Sequence, residues 1–172
     1  MAGNLEFIKS ASGTSVSSLS VTDCFSADYD VYKITFDIDS TTSSIVANFG
    51  LRLIDSGGSV ISANEYDRAN FNLNSNSAFG EFRSTNTDKF HSHSQLSLSG
   101  NSAGGISYLF NPYDSSSYTF HKAQTFFDNN GNLVGKKIIG VHKVAEQITG
   151  INYFTDNGTF ILTINVYGLA SN

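Results

Sequence analysis

His91-Ser92-His93 is the spacing in this sequence that most directly suggests chemistry. On extended backbone, residues i and i+2 project to one face, so two imidazoles could grip one metal ion. A threefold oligomer would bring six imidazoles to its axis, enough for an octahedral transition-metal site. His91 and His93 are therefore the candidate metal ligands. The competing account is a pair of solvated histidines in a polar loop, since no carboxylate or third ligand lies near them in sequence. His121 and His142 are isolated on predicted strands, where a packed or surface histidine is the ordinary reading.

The remaining reactive residue types form no recognisable constellation. Asp128-Asn129-Asn130-Gly131-Asn132 resembles the start of a calcium loop, but the glycine comes too early and no closing glutamate follows. A hairpin turn explains it better, because Asn-Gly suits the positive φ angles that tight hairpins need. Cys24 has no neighbour of the kind that lowers a thiol pKa and reads as a small buried hydrophobe. The four glutamates, Glu6, Glu65, Glu81 and Glu146, are dispersed, so no glycosidase pair can be nominated. No Gly-x-Ser-x-Gly elbow and no phosphate-cradling loop is present. These absences favour a protein that is not an enzyme and uses no cofactor. The eight tyrosines could stack on sugars or supply buried area with a polar handle. The absence of tryptophan weighs against sugar binding.

The elements that must position these residues are strands. Val31 to Asp39 alternates strictly, with Tyr32, Ile34, Phe36 and Ile38 on one face, which is the period of a half-buried strand. Ile45 to Asp55 puts Phe49, Leu51 and Leu53 together, and Asp55-Ser56-Gly57-Gly58-Ser59 reads as a tight turn. Arg68 to Leu73 groups Ala69, Phe71 and Leu73. Residues 85–105 look like a long polar excursion with one short strand around Gln95 to Leu98. Tyr118 to Phe127 and Leu133 to Val144 form a hairpin around Asn130-Gly131. Thr149 to Thr155 and Thr159 to Leu169 form a last pair around Asp156-Asn157-Gly158. Ten or eleven strands with no amphipathic helix predict an all-β, antiparallel two-sheet β-sandwich, with a jelly roll as the expected form, in one domain over 1–172.

Composition agrees. The chain has 172 residues, of which 40% are hydrophobic and 13% are Phe or Tyr, enough to build a core without a disulfide or metal. Only 15% are charged, and polarity comes from Ser, Thr and Asn. Net charge is -5 and the Lys and Arg are scattered, which argues against nucleic acid or an anionic membrane as partner. No basic, apolar leader is seen at the N-terminus, and no apolar run reaches the roughly 18 residues of a membrane span. Folding in the cytoplasm is expected.

The segment from Ser15-Val16-Ser17-Ser18-Leu19 through Asp28-Tyr29-Asp30-Val31-Tyr32 resembles a recurring opening of small virion proteins in marine tailed bacteriophages. Leu51-Arg52-Leu53-Ile54-Asp55-Ser56-Gly57-Gly58, Glu65-Tyr66-Asp67, Gly80-Glu81-Phe82-Arg83 and Phe110-Asn111-Pro112-Tyr113 are similar too. The closing Val166-Tyr167-Gly168-Leu169 resembles the last strands of jelly-roll modules in phage fibres. This resemblance implies a non-enzymatic virion structural protein, assembled in the host cytoplasm and exposed as a capsid decoration or a head or tail appendage. Its expected partners are other capsid or tail proteins and further copies of itself, with a trimer preferred. The alternative is a carbohydrate-binding module of a tail fibre that attaches to a host surface glycan.

Overall fold

Alternation of apolar and polar residues along the chain builds twelve strands in a computed structural model, which describes residues 4–40, 47–96, 102–129 and 131–170, without the side chains of 40 and 91–96. The strands are β1 (Leu5–Val16), β2 (Ser18–Val21), β3 (Val31–Ser40), β4 (Ala47–Asp55), β5 (Tyr66–Asn74), β6 (Gly80–Thr87), β7 (Phe90–Leu96), β8 (Ser102–Phe110), β9 (Thr119–Asn129), β10 (Asn132–His142), β11 (Ile148–Thr155) and β12 (Phe160–Leu169). They form two antiparallel sheets. The larger has eight strands in the order β1-β12-β3-β8-β9-β10-β5-β6, and the smaller has four in the order β2-β11-β4-β7.

The pairing is nested. β1 pairs with β12, β2 with β11, β3 with β8 and β4 with β7, as in one long hairpin wrapped on itself. Two excursions interrupt the hairpin. β5 and β6 follow β4, β9 and β10 follow β8, and together they add four strands to one edge of the larger sheet. The smaller sheet gains none, so the larger one is twice as wide.

The core lies between the sheets. Tyr32, Ile34, Phe36 and Ile38 of β3 are buried as their period-2 pattern requires. They meet Phe49, Leu51 and Leu53 of β4, Ile151 and Tyr153 of β11, and Phe160, Leu162, Ile164 and Val166 of β12. At the centre Phe49 stacks on Tyr153 with ring centroids 5.0 Å apart, and Phe160 meets Phe49 edge-on at 5.5 Å. Cys24 is buried at one end, where desolvation pushes its thiol up to about 12, so it serves as a small hydrophobe.

Three features differ from the expectation. Thr149 to Thr155 and Thr159 to Leu169 do not pair with each other: β11 belongs to the smaller sheet and β12 to the larger. Asp156-Asn157-Gly158 is therefore a crossing between sheets, and each strand finds its ladder with partners from the other end of the chain. Residues 85–105 carry more strand than their weak pattern suggests, because β6 runs to Thr87, β7 starts at Phe90 and β8 starts at Ser102. The Asp55–Ser59 turn forms, with Asp55 Oδ1 accepting from Gly57 N and Ser59 N, but its return is a single bridge between Ile54 and Val60.

The β9–β10 hairpin forms as predicted. Asn129 pairs with Asn132, Gly131 takes φ +80°, and Asp128 Oδ1 accepts a hydrogen bond from Gly131 N at 2.8 Å. A side chain at Gly131 would strain this turn.

Candidate functional site

The four added strands present an unusual outer surface. On β9 the inner residues Thr119, His121, Ala123, Thr125 and Phe127 are buried, and Phe120 and Phe126 point out with Lys122 and Gln124. On β10, Leu133 and Ile139 point out, and Ile139 is 62% exposed. Ala69, Phe71 and Leu73 do share a face of β5, as their spacing predicts, but it is this outer face. The inner face of β5 carries Arg68, Asn70 and Asn72 instead. Beyond Tyr66, the inner positions of β5 are thus polar and its apolar positions lie outside.

Strand register sorts this surface into rows. One row runs Phe110–Phe120–Val141, the next Lys33–Tyr108–Lys122–Ile139–Ala69–Arg83, and a third Ile106–Gln124–Lys137–Phe71–Glu81. Grooves cross it. One, of about 600 Å³, lies among Ala69, Phe71, Arg83, Lys137 and Ile139. Another, of about 720 Å³, lies among Asp67, Ala69, Phe120, Ile139 and Val141. A further one, of about 510 Å³, lies among Ile106, Tyr108, Phe110 and Lys122. Lys33, Lys122, Lys137 and Arg83, scattered in sequence, thus share one apolar face with Asp67 and Glu81. Exposed aromatic and aliphatic area with interspersed cations is the make-up of a contact surface.

A second group lies inside. His121 Nε2 is 3.4 Å from Ser107 Oγ, which is 3.4 Å from the Tyr153 hydroxyl. A serine beside a histidine suggests nucleophilic chemistry, but all three residues are sealed between the sheets. No substrate can reach them. Burial drives the His121 imidazole down to about 3, which keeps it neutral, and Phe90 stacks on its ring at 4.7 Å. The trio pins β8, β9 and β11 together across the core.

A third group sits at one end of the sandwich. Residue His142, last on β10, pairs in register with Tyr66, first on β5, and its ring lies 4.9 Å from the Tyr66 ring. Its side chain is wholly buried, with Nε2 3.2 Å from Glu65 Oε2 and 3.6 Å from Glu146 Oε1. Desolvation raises the Glu146 carboxyl, and Glu65 and Asp55 add to the rise while His142 opposes it. Sequence reading missed this group. Glu65 is 77 residues from His142. Only the His142–Glu146 spacing was visible, and it suggested nothing without the third member.

His91 and His93 lie on β7, but their side chains are outside the described residues. His121 is packed between the sheets, one of the two ordinary outcomes expected of an isolated histidine on a strand.

No protein family and no curated protein matches this chain. Among solved structures it is similar to a fructofuranosidase from Schwanniomyces occidentalis complexed with fructosylnystose, at 12% identity and TM-score 0.37. That likeness covers 97% of this chain and 34% of the other, so the chain spans about a third of that protein's length. It is also similar to the CBM2 module of the evolved Dit of Lactobacillus casei BL23 phage J-1, at 10% identity and TM-score 0.27, covering 90% of this chain and 69% of that one. The infectious bursal disease virus VP2 subviral particle follows at 10% identity and TM-score 0.17, covering 99% of this chain and 42% of that one. At such identities and scores no activity or ligand transfers to this chain.

Proposed function

We propose that this chain is a non-enzymatic structural protein of a bacteriophage virion, exposed on the particle and docked through the outer face of β9, β10, β5 and β6. The observation that carries the reading is the placement of the exposed apolar residues. Among the exposed large hydrophobic side chains, Phe71, Leu73, Phe120, Phe126, Leu133 and Ile139 gather on the outer face of β5, β9 and β10, the face turned away from the smaller sheet. The nested pairing of the other eight supports a jelly-roll scaffold, on which the excursions build the docking face. Lys33, Lys122, Lys137 and Arg83 suit a partner surface that is apolar at its centre and acidic around it, such as a capsid or tail protein. The resemblance of Ser15–Tyr32 and of the closing strand to phage virion proteins points the same way.

Cryo-EM of purified virions of the source phage tests this. The expected result is density for the chain at repeated positions, with the outer face of β9 and β10 turned toward the neighbouring protein. A particle without the chain would overturn the reading. So would density with that face turned to solvent, and a glycan array would then test the host-attachment alternative.

A further inference from the structure

We propose that Glu65, His142 and Glu146 form a binding site for a divalent first-row transition cation of the zinc type. The three donor atoms, one imidazole nitrogen and two carboxylate oxygens, lie within 4.8 Å of one another. An ion held about 2.0–2.2 Å from each nitrogen or oxygen sets its donors roughly 3.0–3.6 Å apart, the cis spacing of octahedral and tetrahedral geometry. The distances from His142 Nε2, 3.2 Å to Glu65 and 3.6 Å to Glu146, match that spacing, and the two carboxylate oxygens would close on the ion by side-chain rotation.

Three further observations separate this group from an ordinary acidic patch. First, His142 is wholly buried with Nε2 aimed at both carboxylates, and the ring is held by the register of β10 on β5 and by Tyr66, whose hydroxyl donates to Ile61 O and accepts from Leu53 N. Second, among the described residues neither carboxylate pairs with a lysine or arginine. Lys143, the adjacent cation, turns to Asp67 at 3.0 Å and to Asn86 at 2.7 Å. Third, the backbone presets the cluster, because Lys143 N donates to Glu65 O at 2.9 Å. Both glutamates are about one-third exposed, so water can complete the coordination shell. A bound ion would tie the segment before β5 to the segment between β10 and β11. This proposal is independent of the virion reading.

The test is isothermal titration calorimetry of the chelator-stripped full chain with zinc, alongside thermal unfolding with and without zinc. The His91→Ala/His93→Ala double variant isolates this site from the other histidine pair. The expected result is one zinc equivalent retained in that variant and a higher melting temperature with zinc. Glu65→Gln and Glu146→Gln, which preserve shape, are each expected to weaken binding at least about tenfold. The proposal is overturned if the double variant binds no zinc, if both glutamine variants bind as tightly as their parent, or if zinc leaves the wild-type melting temperature unchanged.

Discussion

Phe90 packs so tightly over Gly140 that a Cβ on the glycine would lie 2.7 Å from the ring. That approach carries Phe90, at the start of the smaller sheet's edge strand, onto β10 of the larger sheet. There it stacks on His121 and meets Tyr66 edge-on at 4.8 Å. The close glycine is thus what brings β7 down onto the widened sheet. Gly140→Ala must push Phe90 away, and overpacking of this kind costs about 1–3 kcal/mol. Urea denaturation should show a lower midpoint with an unchanged slope.

His121 should make the fold sensitive to mild acid. Its imidazole is held neutral down to about 3 when folded, whereas the unfolded side chain takes a proton near 6.5. Between these values the unfolded state binds more protons, so stability falls as pH falls from about 6.5 toward 3. The loss approaches about 1.4 kcal/mol per pH unit well below 6.5. Comparing His121→Gln with wild type between pH 7 and pH 5 should show a stability difference that changes with pH in this direction. A constant difference would rule out the buried neutral imidazole.

The ammonium of Lys136 predicts the opposite end of the pH scale. Burial, with the Arg68 guanidinium adding to it, lowers this lysine to about 8 from 10.5. Below about 8 it is charged in both states and the cost of burying that charge is felt in full. Between 8 and 10.5 the unfolded state binds more protons, so this cost fades as pH rises. Lys136→Met should be more stable than wild type at pH 7, by on the order of 1 to 3 kcal/mol, and the advantage should shrink at pH 9.5. Cys24 and the buried tyrosines Tyr66 and Tyr153 also titrate at alkaline pH, but they are common to both proteins and cancel in the comparison.

Ile139 separates folding from docking. Its side chain stands on the outer face between Lys122 and Ala69 and contributes nothing to the core. Ile139→Glu should change unfolding stability by no more than about 1 kcal/mol. The same variant should be lost from purified virions, as read by quantitative mass spectrometry of particles assembled with it. Normal occupancy would place the docking surface elsewhere.

The strands were legible in the sequence because period-2 alternation is a local property. Tyr32, Ile34, Phe36 and Ile38 announce one buried face of β3 with no knowledge of its neighbours, and Asn130-Gly131 announces its hairpin through backbone conformation alone. Tertiary structure decided the rest. Ala69, Phe71 and Leu73 read as one face of a strand, but only the register of β5 with β10 and β6 set that face on the outside of the sheet. Thr149 to Thr155 and Thr159 to Leu169 looked like partners because a turn joins them, yet pairing energy depends on which strands lie alongside, and those come from the far end of the chain. Glu65, His142 and Glu146 meet because β5 and β10 share a ladder, and no spacing in the sequence encodes a ladder between distant strands.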